Sequence, residues 1–220
     1  MSFTGKGRPT VPMSGPPPII VPLPPPPYPM GIIAEYTRHT TPITLRVREL
    51  KWSHSGDDFK IKDAVIGALL FKVDAKVFSL SSKKILLDHT GRQLFEFCHV
   101  GFFTSSYQGE SCDPSKKLLF TVDKIGYFNP KLEIVFDNLA GDGRRQRWTL
   151  RGRWLSGVAQ ITTDSGFIVA SISRDYGSMG DIFFDKQTYD VTVAPGVDAA
   201  FVSALCVCLD EAYHDRRERY

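Results

Sequence analysis

From residue 44 onward, apolar and polar side chains alternate in short runs. In TLRVREL, Leu45 and Val47 alternate with Arg46 and Arg48, and in DFKIKD, Phe59 and Ile61 alternate with Lys60 and Lys62. A period of two sends successive side chains to opposite faces of an extended chain, so these runs predict strands buried on one face. ALLFKV, KKILLD, RQLFEF, KLLFTV and KLEIVFD follow, then RQRWTLRGRWL, VAQITT, GFIVASIS, DIFFD and YDVTV. Segments such as DHTG (88–91), GESCDPS and FNP punctuate them, and almost every connection is short enough for a hairpin. Many short strands joined this way predict an antiparallel barrel or sandwich.

The pattern changes once more, near the carboxyl end. Pro195-Gly196 stops the last strand, and from Ala199 to Leu209 the only polar residue is Ser203. Asp198 is placed to cap a helix there, its carboxylate accepting the first free amides. His214, Arg216 and Arg217 follow, where positive charge suits the helix dipole. Eleven residues at about 1.5 Å each cover about 17 Å, short of the ~30 Å of hydrocarbon in a bilayer. A surface helix needs a polar face, and none precedes Asp210. A helix apolar all round must be enclosed by protein, and in a β-rich chain the enclosure is a closed sheet. The segment therefore reads as the plug of a barrel. Burying Phe201, Val202, Leu205, Val207 and Leu209 would contribute about 1.5–3 kcal/mol each before entropy costs.

Residues 1–33 are of another composition, holding most of the prolines, including Pro16 to Pro18 and Pro24 to Pro27. Proline fixes φ and removes a backbone donor, so this stretch is expected to be a disordered leader sampling polyproline II. It contains Pro25-Pro26-Pro27-Tyr28, the P-P-x-Y pattern read by WW-type domains. Residues 34–215 are then the expected barrel domain and 216–220 a tail.

Four stretches carry a resemblance: DFKIKDAVIGALLFKV, KVFSLSSKKILLD, WTLRGRWL and YDVTVAPGVDAAFVSALCVCLDE. In this order they resemble the LURP-one-related family over about residues 40–213. The family belongs to the tubby C-terminal-like superfold, which includes the phospholipid scramblases. The resemblance implies a mostly β fold: a closed antiparallel barrel of about 12 strands around a central C-terminal hydrophobic helix. That is the picture the helix reaches by itself. Tubby proteins bind phosphoinositides and scramblases move lipids, but fold does not fix function.

Composition changes this picture little. Hydrophobic residues make up 42% and charged residues 23%, enough for a core, and the net charge is +3. The cysteines are Cys98, Cys112, Cys206 and Cys208, with no C-x-x-C pair and no His at zinc-finger spacing. With no basic start and apolar run of a signal peptide, a reducing, cytoplasmic setting, peripheral at membranes, is expected. A nuclear location is the tubby-like alternative.

Candidate chemistry concentrates in RRQRWTLRGRW, residues 144–154. On a strand, Trp148, Leu150, Gly152 and Trp154 share one face, and Arg145, Arg147, Arg151 and Arg153 the other. With the tryptophans inward, the arginines form an outer stripe of about 27 Å. Guanidinium forks suit phosphates, so the stripe, with Arg144, is the candidate contact for anionic lipid headgroups. The plain alternative is an outer face balanced by Asp137, Glu133 or Asp142. Asp181, Asp185 and Asp190 stand where scramblases carry acidic calcium ligands, but their spacing suits no calcium loop and they read as structural acids. His39, His54, His89, His99 and His214 belong to no catalytic motif, and no cofactor is expected. Nucleic acid is disfavoured because no aromatic platform flanks the arginines. The expectation is a monomeric, non-enzymatic binding or adaptor module. Its expected partners are anionic headgroups at the barrel and a WW-domain protein at the leader. The competing classes are a scramblase-like lipid-handling protein and a tubby-like, transcription-related regulator.

Overall fold

The computed structural model describes residues 23–50, 58–75, 83–100, 106–125, 131–153, 158–173 and 188–214. Twelve strands occur among the described residues: β1 (Ile43–Leu50), β2 (Asp58–Asp63), β3 (Leu69–Ala75), β4 (Lys84–Asp88), β5 (Gln93–Val100) and β6 (Ser106–Ser111). They continue with β7 (Leu118–Ile125), β8 (Lys131–Asp137), β9 (Arg145–Arg153), β10 (Val158–Thr163), β11 (Ile168–Ser173) and β12 (Thr188–Val193). Each pairs antiparallel with its neighbours in sequence, and β1 closes on β12 from Ile43↔Val193 to Arg48↔Thr188. Closure leaves no unpaired edge.

Inside lies α1 (Ala199–His214), whose residues from Ala199 to Asp210 are all buried. The alternation along each strand sets what meets it. Leu45 and Val47, Phe59 and Ile61, and Ile134 and Phe136 face inward and are buried, while the intervening side chains face out. Asp198 caps α1 as expected: its Oδ1 accepts from the amides of Ala200 at 2.9 Å and Phe201 at 3.0 Å. The pattern of the sequence is realised, with one strand added. The pattern predicts no strand over 106–111, and GESCDPS reads as punctuation, yet Ser106–Ser111 forms β6, with Gly109 opposite Phe97 and Phe120. A Cβ at Gly109 would lie 1.9 Å from the Phe120 ring, so the missing side chain is what admits that ring. The run DIFFD lies outside the described residues.

Antiparallel alternation places the turns after β2, β4, β6, β8 and β10, and the entry to α1, at one end of the barrel. A strap from residue 23 to Thr37 lies across this end. Leu23, Met30 and Ile32 are buried in the core, and Met30 bridges Val197 in parallel. Proline content assigns residues 23–33 to the leader; the structure packs them on the barrel. Proline marks extended backbone, but the apolar residues between the prolines decide whether that backbone is solvated. Asp198 ties the strap to the helix, its Oδ2 accepting from Ile32 at 3.0 Å and Ile33 at 2.7 Å. At Gly31 (φ 142°) a Cβ would lie 2.1 Å from the Asp198 Cβ, so only glycine allows this approach. Asn138 fastens the other side, accepting from the Gly31 amide at 2.8 Å and donating to the Pro29 carbonyl at 3.1 Å.

Candidate functional site

The arginines of β9 are placed by its register. Trp148 and Leu150 pair with Ile134 and Leu132 of β8 and are buried, which turns Arg145, Arg147 and Arg151 outward and leaves them exposed. The face is partly neutralised by the three acids named from sequence. Arg145 donates from Nε to Asp137 at 2.9 Å, Arg147 from Nη1 to Glu133 at 3.1 Å, and Arg144 lies 3.8 Å from Asp142. The hydrogen bond from Arg145 holds the Asp137 carboxyl below its usual range, and the same bond raises the guanidinium. Arg151 sits beside Gln160 of β10 and has no ion pair among the described residues. The side chain of Arg153, like Trp154, lies outside the described residues. The stripe thus has the predicted direction, with two of its guanidinium groups already bonded to the barrel.

A second cationic face emerges only from strand register. On β1, β2 and β3 the outward positions include Arg46, Arg48, Lys60, Lys62 and Lys72, and pairing sets Arg46 opposite Lys62, Arg48 opposite Lys60 and Lys60 opposite Lys72. Among the described side chains, the carboxylates on this face are Asp190, held by Arg46 through two bonds of 2.9 Å, and Asp74, 3.2 Å from Lys72. Like charges directly opposite on adjacent strands destabilise a sheet unless something neutralises them. The alternation of these cations is plain in the sequence; their convergence is not, because it depends on which strands pair and in what register.

Of the acids of the calcium alternative, only Asp190 lies within the described residues. Asp190 is engaged by Arg46, Asp181 and Asp185 lie outside the described residues, and no group of three metal-ligating side chains occurs among the described residues. Pro25 and Pro27 are exposed, but Tyr28 is half-buried against the core, so the P-P-x-Y motif rests on the barrel.

The buried acid Asp88 has a local role. Its Oδ1 accepts from Thr90 and from the Arg92 amide, and its Oδ2 from Tyr36 at 3.1 Å and Arg92 Nε at 3.1 Å. Burial pushes its carboxyl up, yet these donors hold it well below the usual carboxylate range. Tyr36 in turn packs edge-on against Phe71, so the cluster fastens the strap to the β4–β5 turn. Cys98 and His99 take opposite sides of β5, and burial raises the Cys98 thiol. Neither arrangement provides an activated nucleophile.

The LURP-one-related family model matches residues 43–210, which spans the barrel from β1 into α1. The chain belongs to the LURP-one-related family. It is similar to Protein LURP-one-related 15 of Arabidopsis thaliana, 32% identical over 184 residues that cover 80% of this chain and 82% of that protein. Protein LURP-one-related 10 of the same plant is 31% identical over 201 residues, 86% of this chain and all of that one. Among solved structures, an Arabidopsis thaliana protein determined by X-ray superposes with a TM-score of 0.60 at 28% identity. That match covers 83% of this chain and 97% of the other. The fold of this chain is therefore shared with a solved plant protein.

Proposed function

We propose that this LURP-one-related protein is a non-enzymatic binding module that docks on anionic, phosphoinositide-containing membranes through outward-facing cations. The observation that carries the reading is the occupation of the barrel by α1. With Ala199 to Leu209 buried, the space where a barrel would hold a small ligand is filled by its own chain, and recognition falls to the outer wall. That wall presents arginines and lysines from β9 and from β1–β3, of which Arg151, Lys60 and Lys62 have no ion pair among the described residues. No helix among the described residues is long and apolar enough to cross a membrane, which suits contact at the surface. Flotation with vesicles containing phosphatidylinositol bisphosphate tests the reading. The wild type is expected to float with these vesicles and to stay behind with pure phosphatidylcholine. Absence of flotation on any anionic vesicle rejects the function. A variant with Arg145, Arg147, Arg151 and Arg153 changed to Ser measures the share carried by β9.

The leader contributes a second contact in this proposal, recruitment of a WW-type domain by Pro25 to Tyr28. Because Tyr28 rests on the barrel, capture requires that it leave the core, and the motif is presented at the cost of that packing. Tyr28→Ala is expected to abolish capture by a WW-domain array; unchanged capture would reject the contact.

A further inference from the structure

The turn between β2 and β3 carries an exposure that the barrel does not explain. Val65 and Ile66 form its tip and are 86% and 75% exposed, flanked by Ala64, Gly67 and Ala68. Two branched aliphatic side chains standing in water gain nothing for the fold. The amides beneath them are all engaged. Asp63 Oδ1 accepts from the amides of Val65 at 2.7 Å and Ile66 at 3.0 Å, and the Asp63 carbonyl accepts from Gly67 at 2.9 Å. Asp63 itself donates to Ala68, and Ala64 to Thr44. Every amide from Asp63 to Gly67 therefore has an acceptor within the protein, which lowers the cost of placing this tip in an apolar medium.

Directly behind the tip stands the cationic wall of β1–β3. Lys62 lies three residues before Val65, about 10 Å back at the rise of a strand. Lys60, Arg48 and Lys72 follow one row further on, spread over about 10 Å across three adjacent strands. Among the described residues, Lys60 and Lys62 have no ion pair. The polar layer of a bilayer is about 5–8 Å deep on each side, so a tip entering the acyl boundary brings Lys62, with the reach of its side chain, to headgroup level, while Lys60, about 17 Å behind the tip, faces the negative potential just outside it.

We propose that the β2–β3 turn and the wall behind it are the surface by which the protein docks on an anionic bilayer, with Val65 and Ile66 entering the acyl boundary, Lys62 meeting headgroup phosphates and Lys60 held by the anionic surface behind it. This deepens the membrane-docking reading above and rests on it. The chemistry selects a lipid surface over a single strand of nucleic acid. Base stacking needs exposed aromatic rings, whereas the exposed large apolar side chains among the described residues are all aliphatic.

Flotation of the full chain with phosphatidylcholine vesicles, with and without phosphatidylserine, tests this surface. Val65→Ser with Ile66→Ser, and separately Lys60→Ser with Lys62→Ser, should each reduce binding to the anionic vesicles by at least about tenfold. All four positions are exposed, and matching thermal unfolding of each variant confirms the fold. Ile66→Trp should shift its emission to the blue and be quenched by brominated acyl chains, only when phosphatidylserine is present. Wild-type flotation by the tip variant, or emission of the introduced tryptophan that brominated chains leave unquenched, overturns the assignment. If the β9 arginine variant fails to float while both of these variants bind, membrane docking stands and this surface falls. Failure of the wild type on every anionic vesicle removes both. Retention of a single-stranded oligonucleotide through Lys60 and Lys62, without vesicle binding, also overturns it.

Discussion

Asp198→Ala is expected to lower the unfolding free energy by about 3–5 kcal/mol, read as a drop in the urea midpoint at pH 7. The carboxylate is fully buried and accepts four backbone amides, two that open α1 and two from the strap. Alanine leaves all four without this acceptor, and a buried unsatisfied donor costs about 1–3 kcal/mol before relaxation. Asp198→Asn keeps one oxygen acceptor without the buried charge, so at pH 7 it should lose less than alanine. The two variants separate the cap from the clasp: hydrogen exchange at Ile32 and Ile33 should accelerate in both, even where the helix still forms. An Asp198→Ala midpoint within error of the wild type would mean that the strap and helix are held by other contacts.

The same group sets a pH dependence. Burial raises the Asp198 carboxyl, against the pull of its four amide donors, to about 6 from an ordinary value of 3.8. The folded state then binds this proton more tightly than the unfolded chain. Its stabilisation is fully present below pH 3.8 and is lost as pH rises through about 6, a difference of about 3 kcal/mol. Asp88 works in the opposite sense and in another window: its carboxyl is depressed, so its contribution is present above the ordinary carboxylate pKa and fades as acid approaches the folded value. Between pH 4 and 7, Asp198→Asn should therefore flatten the fall in stability seen in the wild type. Parallel curves for the two proteins would exclude the effect.

How much of this was legible in the sequence follows from the range of the interactions involved. The strands and α1 rest on local periodicity, and an all-apolar helix too short for a bilayer forces a closed sheet around it, so the barrel could be read from the chain. The Asp198 cap is likewise local. Its second pair of donors is not, because Ile32 and Ile33 lie more than 160 residues away. The strap was hidden for a related reason: a run of prolines separates Leu23 from Met30 and Ile32, and so few apolar positions set up no sustained period. On β9 the direction of the arginines was readable, since Trp148 had to face inward. The bonds to Asp137 and Glu133 depend on the register of β8, for which the candidate acids could be named but not aligned. The β1–β3 wall is the fullest case, five cations whose alternation is visible and whose adjacency exists only after folding.

Phe201→Ala should cost about 3–5 kcal/mol, a large share of the 5–15 kcal/mol that holds a typical domain. Phe201 has no exposed surface and lies at the centre of the rings that join α1 to the wall: 4.7 Å from Phe136, 5.2 Å from Phe120 and 5.5 Å from Trp148, centroid to centroid. These partners belong to β8, β7 and β9, so one truncation removes contacts to three consecutive strands. The barrel cannot collapse to fill the void, because closure fixes the strand number and stagger, and with them the radius. The removed contacts are therefore lost outright rather than remade. Phe201→Leu retains most of the volume and should cost about half as much or less. The expected order of urea midpoints is wild type, then leucine, then alanine, with tryptophan emission from the buried Trp148 shifting most in the alanine variant. A loss below about 1 kcal/mol for Phe201→Ala would mean that the strands hold the barrel closed without the helix. The interior would then be a space the helix merely occupies, and nothing about its filling would confine recognition to the outer wall.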